Sequence, residues 1–192
     1  MCALWIGTLG FVLYFVYDIN SFTWKSPLLH KCFLLGTLLL SAALALDLYQ
    51  GISLQKSVGL WQLIWGAAGA GFLYLLIHAL FFALPFENTY CMGKQSGKAR
   101  PCDQGVYAMC RHPGVLFLFG VYFSWGMAVL PGTLLRNGII FSLWNVLYVL
   151  FQDRVTFPTV FEDYDGYRRR VPFLIPTKTS IQAAWATRHV RA

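Results

Sequence analysis

Five apolar runs stand out along the chain, at 3–17, 28–46, 58–84, 115–130 and 134–151, separated by short polar stretches. The first ends at Asp18, the second at Asp47 and the third at Pro85, and only Pro131-Gly132-Thr133 divides the last two. Crossing the hydrocarbon core of a bilayer takes about 20 residues of helix, a length that most of the runs approach. The shorter ones need help from aromatic side chains at the interface, and Trp24, Trp61 and Tyr148 lie near run ends. Helix is the form expected, because an open strand in lipid leaves its backbone groups without partners. The predicted fold class is therefore all-α, a polytopic membrane protein of about five transmembrane helices. The fourth and fifth runs form a tight antiparallel hairpin, and a polar tail covers 152–192.

Composition agrees with this pattern. Only 12% of the residues are charged and 57% are hydrophobic, whereas a soluble domain carries roughly a quarter charged residues. There is too little polar surface to cover a globule in water. The net charge of +7 is not gathered into a footprint for nucleic acid, which excludes that class of partner. Its placement follows the spans instead. Five spans put the 18–27 loop, the 85–112 loop and the tail on one side. Thirteen of the fifteen Lys and Arg fall there, with only Lys56 and Arg136 on the other. The positive-inside rule then sets the N-terminus outside and the tail in the cytoplasm. No internal repeat, low-complexity tract or separate soluble domain is visible, so 1–192 reads as a single membrane domain.

Cys2, Cys32, Cys91, Cys102 and Cys110 are odd in number and show neither CxxC spacing nor a metal-ligand arrangement with histidine. They read as free thiols in a reducing compartment, and no metal is expected. The chain opens Met1-Cys2-Ala3-Leu4-Trp5 without a basic n-region, so its first run is expected to be a retained span.

Two polar blocks on the basic side carry candidate chemistry. One runs Gly105-Val-Tyr107-Ala-Met-Cys-Arg111-His112-Pro113. The other contains Gln152-Asp153-Arg154 and then Glu162-Asp163-Tyr164-Asp165-Gly166-Tyr167-Arg168-Arg169-Arg170. Each has a plain reading. Arg111 and His112 are interfacial cations ahead of a helix begun by Pro113, and Arg168 to Arg170 anchor the tail to anionic headgroups. A tight hairpin between the fourth and fifth spans nevertheless returns the chain to the same membrane face, where the blocks can meet. Tyr164, Tyr167 and Arg168, at i, i+3 and i+4, share one helix face. His78, inside the third run, reads equally well as a hydrogen-bonded core histidine and is not counted in the site. Glu87 and Asn88 fit a pocket mouth or a solvated loop.

With these residues in place, the pattern Gly105-x-Tyr107-x-x-x-Arg111-His112-Pro113, a helical hairpin, and Tyr164-x-x-Tyr167-x-x-x-Val171-Pro172-x-x-Ile175-Pro176 resembles the isoprenylcysteine carboxyl methyltransferase and phospholipid methyltransferase superfamily. The resemblance covers about 58–178. It implies a small multi-span enzyme using S-adenosylmethionine, bound by the cytoplasmic C-terminal segment. Two departures bear on substrate choice and activity. Val115 and Phe117 stand where the family has an aromatic and a glycine, and Gln152-Asp153 stands where it has a Glu-Glu pair.

What the resemblance implies for roles joins with charge logic. Arg111 or Arg168 would grip the cofactor carboxylate bidentately, and Asp153 or Glu162 would take its ammonium. Tyr107, Tyr164 or Tyr167 would stack on adenine or bond to the ribose. Gly105 belongs to the same cofactor-binding motif. His112 contacts the cofactor and accepts a proton where the acceptor is an amine or a thiol; with Arg111 it forms the expected catalytic pair. Methyl transfer needs chiefly in-line alignment in a dry pocket. The implied acceptor is lipophilic or membrane-partitioned, namely an isoprenylcysteine carboxylate, a phospholipid amine or a thiol. Two alternatives remain at this point. One is a membrane reductase using NADPH, since the tail also resembles that of the sterol C14 reductase core. The other is a non-catalytic scaffold of the same fold.

Overall fold

The computed structural model describes residues 1–55, 57–82, 101–129 and 132–187. Among these the regular secondary structure is all helical, with no strand. The elements are α1 (Cys2–Phe22), α2 (Pro27–Ser53), α3 (Leu60–Phe81), α4 (Val106–Met109), α5 (Pro113–Ala128), α6 (Thr133–Phe151), a π turn (Gln152–Thr156), α7 (Phe157–Val160), α8 (Tyr164–Arg170) and α9 (Lys178–Ala186).

The apolar runs become helices, with bounds that differ in an informative way. α1, α2 and α3 are long and apolar enough to cross a membrane, as is the continuous helix Thr133–Val160 formed by α6, the π turn and α7. The fifth apolar helix, α5, has 16 residues and spans only ~24 Å, so among the described residues four helices rather than five reach full crossing length. The first two runs were expected to end at Asp18 and Asp47, but α1 and α2 continue past them, with both carboxylates buried. A charge closes a span only if it must face water. Asp47 instead turns inward and accepts from Asn137 Nδ2 of α6 at 2.9 Å on each oxygen, so it has a partner inside the bundle. The helix expected to end at Phe151 runs on to Val160, so the tail proper starts about nine residues later than 152. The 83–84 end of the third run, residue 130 of the fourth, Glu87, Asn88, Cys91, and Lys56, Lys94, Lys98, Arg100, Arg188 and Arg191 lie outside the described residues.

Two packed pairs and a back wall make the bundle. α1 lies along α2, α3 along α5, and α6 touches α1, α2 and α5. The α1–α2 backbones meet at Gly10 and Gly36. A Cβ built on Gly10 would stand 2.9 Å from the Gly36 carbonyl oxygen, and one on Gly36 would stand 2.8 Å from that of Gly10. In lipid, helices are held by close van der Waals fit rather than by hydrophobic exclusion, so this approach is a main source of their association. The turn between them is held by Asn20, which donates to the Ser26 carbonyl at 3.0 Å and accepts from the Ser26 N–H at 2.8 Å. On α3, the Gly66 carbonyl accepts from Trp125 Nε1 at 3.0 Å; on α5, the Met127 carbonyl accepts from Trp61 Nε1 at 2.9 Å. Gly138 lies against Tyr122 and Gly126 against Leu135, which makes α5 and α6 antiparallel. His78 sits on α3 between Tyr74 and Phe82 rings.

The break from α to π geometry before α7 has a local cause. Pro158 has no N–H to bond the carbonyl four residues back, and its ring crowds that carbonyl. The helix widens, and the Phe157 N–H reaches the carbonyl of Gln152, five residues earlier. Among the described residues α3 is packed on α5 and not along α2. A cavity of about 460 Å³ opens in the space between the two pairs.

Gly36→Val is expected to force α1 and α2 apart and lower stability by about 1–3 kcal/mol. Thermal unfolding in detergent, followed by circular dichroism, would read this as a lower Tm, with Ser41→Val on the exposed side of α2 as the control.

Candidate functional site

The two polar blocks meet at one end of the bundle. The Arg111 N–H donates to the Pro172 carbonyl at 2.9 Å. Tyr167 Oη donates to the Tyr107 carbonyl at 3.0 Å, and Arg111 Nη1 donates to the Arg168 carbonyl at 3.1 Å. Gly105 begins the first block in a conformation that L side chains rarely adopt, φ 55° and ψ −130°. It is the first central residue of a turn closed by Tyr107 N–H on the Gln104 carbonyl at 3.1 Å, a place where glycine is favoured. Its own N–H donates to Thr187 Oγ1 at 3.0 Å, tying the end of α9 to α4. Tyr107 then reaches α3, donating to the Ala79 carbonyl at 2.9 Å.

Asp153 is the point on which the blocks converge. It is buried, and the π turn presents it inward. Its Oδ1 accepts from Tyr164 Oη at 2.6 Å and lies 3.1 Å from Arg111 Nε and 3.5 Å from His112 Nε2. Its Oδ2 lies 3.6 Å from Arg168 Nε. One carboxylate thus gathers four side chains from the start of α5 and from α8. Two cations of different character flank it. Arg111, its side chain 9% exposed, stacks over Phe173 at 5.5 Å, while Arg168 is 39% exposed and shared with Asp165 at 3.5 Å. Burying a carboxylate is costly unless it is paired, so these contacts are needed for Asp153 to stand where it does.

His112 is the residue just before α5 and is 6% exposed. Its ring stacks on Phe157 at 5.7 Å and meets Phe173 edge-on at 5.2 Å. The Nε2 atom is buried without a hydrogen bond, 3.5 Å from Asp153 being beyond good geometry. Burial in this aromatic clamp holds the imidazole below its ordinary pKa, and the Arg111 charge adds to the effect. The Asp153 carboxylate opposes it and does not win. His112 is therefore neutral at pH 7. Burial raises the phenols of Tyr107, Tyr164 and Tyr167, which remain donors. The buried Cys110 thiol is pushed up to about 11, so it carries little of the thiolate that reactivity needs.

The cavity joins this end to the interior of the bundle. Arg111, His112, Tyr107, Tyr164 and Tyr167 line its mouth, and Phe11, Leu40, Leu44, Leu73 and Leu76 line its depth. Val115 also lines it, while Phe117 is buried away from it. The expected site residues therefore divide. Tyr107, Arg111, His112, Asp153, Tyr164, Tyr167 and Arg168 come together. Gly105 shapes the approach without lining the cavity, and Glu162 is exposed and outside the wall. Among the described residues no group of three His, Cys, Asp or Glu converges as a metal site would require.

Sequence reasoning did not find Phe157 and Phe173, which clamp His112. Nor did it find the π turn, whose one signal is Pro158, five residues after Asp153. It also left out the polar residues of α6 that face the cavity. No protein-family model, no curated protein and no solved structure matches the chain.

Two outcomes are expected. Asp153→Ala leaves Arg111 buried without its countercharge and should cost about 3–5 kcal/mol. Arg168→Ala, at the half-exposed edge, should cost about 0–1 kcal/mol; denaturant titration in detergent measures both. Because His112 is held below the ordinary histidine value of about 6.5, the unfolded chain binds that proton first as pH falls. Its contribution to stability is thus complete above about 6.5 and lost as pH drops below it. A Tm series from pH 7.5 to 5.5 should fall more steeply for the wild type than for His112→Gln.

Proposed function

We propose that this chain is an integral membrane methyltransferase that uses S-adenosylmethionine and acts on a lipophilic or membrane-partitioned acceptor. The observation that carries the reading is the convergence of Arg111, His112, Tyr164 and Arg168 on Asp153, with Arg111, His112 and Tyr164 also lining the mouth of one cavity that continues into the apolar bundle. Interfacial cations without a further role would face water and headgroups. Here Arg111 and His112 turn inward, toward a space large enough for a ligand, while Arg168 stays half-exposed beside them.

The residues present fit such a cofactor. The buried Nε2 of His112 has no hydrogen bond, a state that a native chain rarely tolerates without a ligand or water. Phe157, Phe161, Tyr164 and Tyr167 give the mouth an aromatic wall suited to an adenine ring. Arg168, half-exposed and at 3.5 and 3.6 Å from its two carboxylate partners, is free to turn toward a ligand carboxylate. Arg111 is instead held in place by Asp153 and the Arg168 carbonyl. Oδ2 of Asp153, 3.6 Å from Arg168 Nε, is the oxygen for a ligand ammonium; Glu162 stands too far out for that task. When bound, the cofactor supplies an electrophilic methyl group. His112, kept neutral by burial, takes the proton of an amine or thiol acceptor, and Asp153 stabilises the imidazolium that results. An acceptor carboxylate needs no base and is oriented by Arg111. The clamp of Phe157 and Phe173 fixes the imidazole and excludes water, which strengthens each of these interactions.

Charge placement supports an orientation with the site on the cytoplasmic face, the tail with it and the N-terminus outside.

Calorimetry on detergent-purified protein tests the reading. S-adenosylhomocysteine is expected to bind at micromolar affinity, His112→Ala to weaken it by at least about tenfold, or about 1.4 kcal/mol, and NADPH not to bind. A folded wild type that takes up NADPH instead would establish the reductase, and one that binds neither nucleotide would leave a scaffold.

A further inference from the structure

The cavity wall on α6 is polar where the membrane is apolar. Asn145, Tyr148, Val149 and Gln152 line it at i, i+3, i+4 and i+7, a single helical stripe. Three of these four positions carry hydrogen-bonding groups, on a helix whose other faces are predominantly apolar. Gln152 Nε2 donates to Tyr148 Oη at 2.9 Å, so the end of the stripe nearest the site is internally satisfied. The deep end differs. Asn145 makes no side-chain hydrogen bond among the described residues, although its amide has two donors and an acceptor. Across the cavity on α5, Tyr122 is 2% exposed, and its hydroxyl is buried with no partner. Asn145 lies eight residues before Asp153 and Tyr122 ten after His112, which places them ~12 and ~15 Å along their helices from the site. Polar groups this deep in lipid are costly, and usually face a ligand path or one another.

We propose that Asn145 and Tyr122 read a second polar group on the acceptor, so that this cavity selects an amphiphile with a hydrogen-bonding group well inside its hydrophobic portion over one with a plain hydrocarbon tail. The inference rests on the methyltransferase reading for what happens at the near end of the molecule. Phe11, Leu40, Leu44, Leu73 and Leu76 make the rest of the wall apolar, while Asn145 and Tyr122 set the distance between the two polar ends. A plain alkyl chain would leave both groups without partners, and a site built with unpartnered polar groups rejects ligands that cannot pair with them.

Paired probes test this in nanodiscs of a single zwitterionic lipid. Decanoate and 10-hydroxydecanoate share a carboxylate for the Arg111–His112 end and differ only in the distal hydroxyl. Their affinities are read by quenching of tryptophan fluorescence. The hydroxyl preference is compared between wild type and variants, so the unequal partition of the probes into lipid cancels. Wild type should show a preference for the hydroxylated probe that falls at least fivefold in Asn145→Leu and in Tyr122→Phe. Tyr122→Phe removes only an unpartnered hydroxyl and so keeps the fold should Asn145→Leu lose it. The same preference in wild type and Tyr122→Phe, or none in wild type, overturns the proposal and leaves the two groups merely hydrated. S-adenosylhomocysteine binding on the same samples separates the two readings. A hydroxyl preference without cofactor binding removes methyl transfer and keeps the selective cavity, and the reverse removes the selectivity alone.

Discussion

A single buried carboxylate, Asp153, holds the site together. Its negative charge is what allows the Arg111 guanidinium and the His112 ring to leave the membrane–water boundary and turn into the protein, against the desolvation that opposes such a move. Four side chains from the start of α5 and from α8 find one another through it. The hydrogen bonds from Arg111 to Pro172 and from Tyr167 to Tyr107 add backbone restraint to that electrostatic gathering. The mouth of the cavity is therefore shaped by charge, whereas its depth is shaped by the way the α1–α2 and α3–α5 pairs fail to close on each other.

Asp153 also creates the asymmetry between the two arginines. Arg111 is fixed by a near carboxylate, a carbonyl and an aromatic ring. Arg168 is held loosely and half in water. A fixed cation suits orientation of a reacting group, and a loose one suits capture of a ligand that arrives from solution. The two roles proposed for arginine on this face would fall to different residues for a reason that lies in their burial and not in their chemistry.

Much of the fold was legible in the chain because lipid imposes a simple rule, that long apolar runs become helices. The runs at 3–17, 28–46, 58–84, 115–130 and 134–151 all appear. Their ends were less legible, because Asp18 and Asp47 look like stops when no partner can be seen; Asn137, ninety residues from Asp47, is what makes that carboxylate an interior group. The meeting of the two polar blocks followed from the hairpin, and seven of the nine expected site residues converge. Glu162 did not join them because α8 begins only at Tyr164, leaving Glu162 in the exposed turn before it. Phe157 and Phe173 stayed hidden since an aromatic in an aromatic-rich chain carries no sign of what it stacks on. Asn145 was hidden by its setting, one of a few polar letters scattered along an apolar run.

The π turn has a consequence for phase. An α-helix advances about 100° per residue, and a turn closed five residues back instead of four absorbs roughly one residue without advancing the spiral. The stripe of α6 that faces the cavity and Phe157 of α7, which stacks on His112, are thereby set in relative angle by the turn that Pro158 imposes. A proline that in an ordinary helix would be a defect acts here as an angular offset between the part of the helix that faces the cavity and the part that supports the charge cluster.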